Sequence, residues 1–234
     1  MCVTEQYSPM GVSPSPGVSN ETVVRTYDWL AAPYDLLIAP IEAGTRSRAI
    51  ELLALSAGDR VLELGSGPGH ALPGLAGSVG PGGQVIGLDA APRMVARARR
   101  RVADAGDALI VEVLLGDARS LPLPATSVDA VFVEDTLELF STRERRTVLA
   151  ECNRVLVPGG RLGVVTMERS GLEDDRFVRI YEWLYEQFPG YDRIGCRPIY
   201  ARDALEAAGF SILEQERRRR GYVWPVEILI AERV

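Results

Sequence analysis

The stretch VLELGSGPGH, residues 61–70, sets a carboxylate, Glu63, two positions ahead of three alternating glycines, Gly65, Gly67 and Gly69. A glutamate in an apolar strand is costly to bury unless a cation or a hydrogen-bond donor meets it. Glycines in a strand-to-helix turn allow backbone conformations and close approaches that a β-carbon forbids, so they place amide N–H groups beside a ligand. A dinucleotide fingerprint spaced G-x-G-x-x-G would need glycine at position 70, where this sequence has His70. A pyrophosphate beside Glu63 would also bring two anions together in a low dielectric. The residue types ask for a ligand that carries positive charge.

Further positions give that ligand a shape. Asp89 ends the strand-like run QVIGLD, where an acid is placed to accept both hydroxyls of a ribose. Met94, one turn into the helix that follows, can lie flat against a base. Asp117 and the backbone of Ala118, in LLGDARSLPL, suit an exocyclic amine such as adenine N6. Glu134 and Asp135 close the run VFVED at the same carboxyl edge, where ligands of open α/β sheets bind. Each residue also has a plain structural use: Asp89 as a helix cap, Asp117 in an Asx turn, Met94 in the core. Their recurrence at one edge, in the order a single nucleoside requires, favours the ligand.

The elements that must hold these residues follow from hydrophobic pattern. RVLELG, QVIGLD, LIVEVLLGD, VDAVFVE and RLGVVTM are nearly unbroken aliphatic runs. Between them lie the amphipathic segments HALPGLAGSV, PRMVARARRRVADAG and RERRTVLAECNRVL. That alternation predicts a doubly wound α/β fold, a parallel sheet covered on both faces. After a helix ARDALEAAG, the runs FSILEQERR and GYVWPVEILIAE predict an antiparallel edge hairpin, with RRRRG as a solvated turn rather than an anion site.

Residues 1–20, rich in Ser, Pro and Gly, predict a disordered leader. The domain then spans 21–234, with lid helices over 21–42 broken at Pro33 and Pro40, and an aromatic-rich insertion over 170–200. Lys plus Arg is 26 against Asp plus Glu at 32, a net charge of −6 that disfavours nucleic acid as a partner. With no run of about 18 apolar residues and no basic-then-apolar start, the expectation is a cytoplasmic protein without stable membrane insertion, monomer or homodimer. Three scattered cysteines and a single histidine point away from a disulfide framework, a zinc site and a Ser-His-Asp hydrolase.

On these residues the chain resembles the class I S-adenosylmethionine-dependent methyltransferases. ELGSGPG resembles the motif E/D-x-G-x-G-x-G, GLDAAPRMV the acidic loop after the second strand, and GDARSLPLPATSVDAVFVEDTLE the third and fourth strands. RVLVPGGRLGVV resembles the approach to the fifth, and TYDWLAAPYD the entry helices of the ubiquinone/menaquinone-biosynthesis type. The resemblance implies a Rossmann-like seven-stranded sheet, mostly parallel with an antiparallel last strand, and S-adenosyl-L-methionine as cofactor. By resemblance, Glu63 and the glycine loop receive the methionine portion, Asp89 the ribose, Met94 and Ala90 the adenine faces, and Asp117 and Ala118 the adenine amine. The backbone around Glu134 completes the methionine pocket, and Tyr27 or Tyr34 reaches the cofactor carboxylate from the lid.

A methyl group on a sulfonium is already activated, so alignment and exclusion of water can carry the transfer to a small apolar or aromatic acceptor. No general base is assigned: His70 sits at a helix start that disfavours the imidazolium, and Glu134, Asp135 and Glu138 lie nearer the acceptor. An amine or phospholipid headgroup is the alternative acceptor. A nicotinamide-dependent oxidoreductase and a non-catalytic S-adenosylmethionine-binding protein are the alternatives from other classes.

Overall fold

The computed structural model describes residues 39–172, 175–187, 197–220 and 224–234. Helix α1 (Ala39–Leu53) leads into β1 (Arg60–Leu64), α2 (Leu72–Val79), β2 (Gln84–Asp89), α3 (Pro92–Ala105), β3 (Val111–Leu115) and β4 (Val128–Glu134). A short 3-10 turn, Leu137–Leu139, precedes α4 (Thr142–Val155) and β5 (Leu156–Met167). Then follow α5 (Arg176–Gln187), α6 (Ala201–Ala207), β6 (Phe210–Arg220) and β7 (Trp224–Arg233). The sheet order is β3-β2-β1-β4-β5-β7-β6. Only β7 is reversed, pairing antiparallel with both β5 and β6.

Aliphatic strands buried on both faces need two helical layers, and the side chains divide accordingly. Leu62, Val131, Leu162 and Leu229 pack against Val148, Leu149 and Cys152 of α4 and Leu205 of α6. Val61, Val85, Phe132 and Ile228 face Leu53 of α1, Leu72 and Leu75 of α2, and Ala98 and Val102 of α3. Helix ends are set by local chemistry. Ser141 and Glu144 form a reciprocal capping box that starts α4, and Gly106, at φ +82°, ends α3 in a left-handed cap.

Two expectations change. The lid boundary at 42 falls within a single described helix, α1 (Ala39–Leu53), which includes Pro40. The arginine run is not a turn. Arg217–Arg220 continue β6 and pair in register with Glu227, Val226, Pro225 and Trp224 of β7. The leader and the remainder of the lid lie outside the described residues.

The parallel strands and the reversed β7 bring one set of ends to a common edge. Leu64, Asp89, Glu134 and Met167 end their strands there, Arg220 ends β6 there, and Trp224 begins β7. Every acid singled out from sequence is at or just beyond this edge.

Candidate active site

Glu63 sits in the middle of the sheet, opposite Gly87 on β2 and Phe132 on β4. It is 3% exposed, and its Oε2 has no hydrogen-bond partner. Burial holds its carboxyl well above the usual carboxylate range, and the nearby acids Glu134 and Asp89 push the same way, against Arg46. An unpartnered oxygen buried in the core is expensive, and a donor-bearing ligand would remove that cost.

The glycine loop does different work from that expected. Gly65, Gly67 and Gly69 all have positive φ, at +67°, +51° and +81°. Their amides do not point outward to a ligand: Gly65 and Ser66 donate to Leu88 O, Gly67 donates to Asp89 Oδ2, and Gly69 donates to Ser66 O. The loop therefore offers close approach rather than donors. A β-carbon on Gly65 would fall 2.2 Å from Thr136 Oγ1, whereas one on Gly67 would meet nothing within 4 Å, leaving open space at the crest.

Asp89 braces that loop. Its Oδ2 accepts from Gly67 N and its Oδ1 from Ala91 N, each at 2.8 Å. Lone pairs on both oxygens still allow it to accept ribose hydroxyls while holding the loop. Ala90 beside it is half-buried. Met94 is only 2% exposed and presents almost no surface to a base without side-chain movement. Asp117 is engaged: Arg119 donates from Nη2 to its Oδ2 at 2.7 Å and from its backbone N to Oδ1 at 2.9 Å. The Arg119 guanidinium lowers the Asp117 carboxyl below its ordinary range, and Ala118 beside it is buried. Tyr27 and Tyr34 lie outside the described residues.

Glu134 was expected to contribute backbone, yet its side chain is the centre of a buried ionic cage. Arg46 Nε donates to Glu134 Oε2 at 2.6 Å and Arg46 Nη2 to Glu42 Oε2 at 2.9 Å. Arg220 Nη2 donates to Glu134 Oε1 at 3.0 Å, and Arg220 Nη1 donates to Asp135 Oδ2. One carboxylate oxygen from each of Glu42, Glu134 and Asp135 falls within 4.8 Å of the others, with the two guanidinium groups paired to them. Burial, partly opposed by Arg46, pushes Glu134 up to about 7. Asp135 has a left-handed φ of +47°, and its neighbour Thr136 bonds back to Glu134 O at 2.8 Å while packing over Gly65. The cage thus holds the strained turn that roofs the glycine loop.

Sequence reasoning missed Glu42, Arg46 and Arg220. The i, i+4 spacing of Glu42 and Arg46 is a weak signal. For Arg220 there was none, since four like charges in a row read as solvated surface.

A second polar row lies on the opposite face of the sheet. Glu138 Oε1 accepts from Met167 N at 3.0 Å, and Thr166 is the cross-strand partner of Glu227. Glu138 Oε2, Thr166 Oγ1 and Glu227 Oε1 are buried without partners, and burial pushes both carboxyls up to about 7. Of the aromatic insertion, Phe177 stacks on Tyr181 with centroids 5.6 Å apart and meets Trp224 edge-on at 5.7 Å. Met167 and Val226 complete this cluster at the carboxyl edge, while Trp183 is 54% exposed. Phe188 and Tyr191 lie outside the described residues.

Residues 61–160 match a family described as a methyltransferase domain. A demethylmenaquinone methyltransferase of Thermus thermophilus is 39% identical over 140 residues, covering 58% of this chain and 61% of that protein. A ubiquinone/menaquinone biosynthesis C-methyltransferase of Pseudomonas fluorescens is 33% identical over 153 residues, covering 64% and 59%. The chain therefore spans less than two thirds of the length of these curated relatives. Among solved structures, a SAM dependent methyltransferase from Aquifex aeolicus superposes with a TM-score of 0.64 at 24% identity, over 90% of this chain and 98% of that one, a likeness of fold.

Proposed function

We propose that this chain is a class I S-adenosylmethionine-dependent methyltransferase and transfers a methyl group from S-adenosyl-L-methionine to a small apolar or aromatic acceptor, a reading supported by the methyltransferase-domain match over residues 61–160 and by the methyltransferases among its relatives. The observation that carries the cofactor is Glu63, a carboxylate sealed at the head of the glycine loop with an oxygen that has no partner. An amino-acid ammonium supplies the missing donor, directly or through one water. A pyrophosphate would worsen the repulsion that Glu134 and Asp89 already exert there.

When bound, S-adenosylmethionine supplies a methyl group made electrophilic by its positive sulfur. The chain's own residues bind, orient and dry that group. Asp89 takes the ribose hydroxyls from a carboxylate already immobilised by Gly67 N and Ala91 N, so little orientational freedom is lost on binding. Thr136 and the open crest at Gly67 set how closely the ligand lies on the loop. The acids around Glu63 and Glu134 match a ligand of net positive charge better than the neutral thioether left after transfer, which favours product release.

The Phe177–Tyr181–Trp224 cluster beside Met167 and Val226 supports an apolar or aromatic acceptor, because it offers ring surface at the edge where the methyl group would emerge. The quinone methyltransferases among the relatives support the same class. A protonated amine is the second reading, favoured by Glu138 and Glu227, each of which keeps one buried carboxyl oxygen without a partner. Among the described residues no helix is long and apolar enough to cross a membrane.

Two measurements test the proposal. S-adenosylmethionine and S-adenosylhomocysteine should raise the thermal midpoint while NAD(P) leaves it unchanged, since only a ligand of the native state stabilises it. Label from the methyl group should then pass to a quinol or phenol in preference to an amine or a phospholipid. Stabilisation by NAD(P) alone would overturn the cofactor, and transfer to amines alone would overturn the acceptor class.

A further inference from the structure

Several polar atoms at the carboxyl edge are sealed from water without a partner, Ser66 Oγ and Glu138 Oε2 among them, and the two that border Glu134 are of opposite kinds. Glu63 Oε2 is an acceptor that lacks a donor; Arg220 Nε is a donor that lacks an acceptor. Their side chains are more than nine-tenths buried, at 3% and 7% exposed. Both border Glu134: Arg220 is bonded to it, and Glu63 is near enough to feel its charge. From this pair we infer that Arg220, delivered by the C-terminal hairpin, receives the α-carboxylate of the cofactor's amino-acid group while Glu63 receives its α-ammonium. The inference rests on the S-adenosylmethionine reading and adds to it the residue that recognises the carboxylate.

Charge and donor accounting lead to Arg220. Glu42, Glu63, Glu134 and Asp135 stand against Arg46 and Arg220, so the fully ionised cluster has two negative charges in excess. An amino-acid group joined to a sulfonium brings two positive charges and one negative, which halves that excess. Its carboxylate must still avoid four acids, and among the described residues of the cluster the two guanidinium groups attract it. Arg46 spends Nε on Glu134 and Nη2 on Glu42. Of the Arg220 nitrogens, Nη1 is engaged by Asp135 and Nη2 by Glu134, while Nε is buried with no partner. An N–H of a buried guanidinium left unmatched is among the costliest polar groups to desolvate, so a site that keeps one is built around an oxygen still to arrive.

The topology makes this reach possible. β6 runs parallel to β4 because the reversed β7 lies between β5 and β6, so the last residue of β6 arrives at the ligand edge rather than the opposite one. In this arrangement the hairpin, which also carries Trp224 of the aromatic cluster, takes part in cofactor binding as well as in forming the acceptor side.

Isothermal titration of the full chain with S-adenosylmethionine and with decarboxylated S-adenosylmethionine, which lacks only the α-carboxylate, separates recognition from bracing. The unmodified protein should bind the decarboxylated compound about 10–100-fold more weakly, the range of a hydrogen bond to a charged group. Arg220→Gln should lose about the same factor for S-adenosylmethionine and little for the decarboxylated compound, so that the two become nearly equal. Arg220→Lys keeps the cage's charge but offers one nitrogen in place of three; it should lose about tenfold for S-adenosylmethionine and little for the decarboxylated compound, and it decides the matter if Arg220→Gln does not fold. Equal losses for both ligands would show that Arg220 only braces the turn, and no loss for either would exclude it from the site; both results overturn the inference. If the unmodified protein binds neither compound, the cofactor reading falls and the inference with it, an outcome distinct from binding with equal losses.

Discussion

Gly65→Ala should be among the most damaging single-methyl additions in this protein, and Thr136 should be half the reason. The new β-carbon would fall 2.2 Å from Thr136 Oγ1, 2.6 Å from its Cγ2 and 2.9 Å from its Cβ. Neither partner can step aside freely. Gly65 N is bonded to Leu88 O at 2.8 Å, and Thr136 Oγ1 to Glu134 O at 2.8 Å. Holding an alanine at φ +67° costs about 1–2 kcal/mol, and forcing an extra carbon into packed space costs about 1–3 kcal/mol more. The substitution should therefore destabilise by about 2–5 kcal/mol. Thr136→Ala removes Oγ1 and Cγ2, the two nearest obstacles; alone it should cost about 1 kcal/mol for the lost hydrogen bond. In the double variant the two shortest clashes disappear while the 2.9 Å approach to Cβ and the backbone cost remain, so the two changes together should be milder than their sum by about 1–2 kcal/mol. Urea denaturation of the four proteins, with the slope m unchanged, measures this coupling. If the two costs add to within about 0.5 kcal/mol, the contact between Thr136 and the glycine loop does not constrain position 65.

Stability should fall as pH rises from about 4.5 to about 7. Glu134, Glu138 and Glu227 have folded-state carboxyls pushed up to about 7, so the folded protein binds more protons than the unfolded chain in that window, and each contributes up to about 3 kcal/mol that is present at low pH and lost as it ionises. Asp117, Glu144 and Glu151, held below their ordinary range, act in the opposite sense only nearer pH 4 and below, and Glu138→Gln should flatten the fall in a denaturation series across pH. Glu63→Gln should leave stability at pH 7 unchanged or raise it by about 1 kcal/mol, since it removes a buried like-charge neighbour of Glu134, yet weaken S-adenosylmethionine binding at least tenfold in a titration. A stable variant with undiminished affinity would remove Glu63 from the site.

Much of the fold was legible because strands buried on both faces must be aliphatic and helices between them must be two-faced, and both periods are local. VLELG, QVIGLD and VFVE each became the strand expected, and the single reversed strand followed from a hairpin readable in the last 25 or so residues. Glu63 stood out for the same reason: an acid in an aliphatic run violates the local rule and so marks function. What misled was also local. RRRR satisfied every expectation of a solvated turn, and alternating glycines every expectation of outward amides, yet β6 runs through the arginines and Leu88, Asp89 and Ser66 take the amides.

The sequence by itself determined the alternating strands and helices, the carboxyl edge and the anionic character of the pocket, because those follow from side-chain type and spacing within a few residues. Only the tertiary structure decided which charges meet. Arg46, Glu134 and Arg220 come from positions 88 and 86 residues apart, brought together because β6 is placed parallel to β4 across a reversed strand. Pairing between buried charges depends on distances of a few ångströms, and those are fixed by sheet order rather than by any neighbour along the chain.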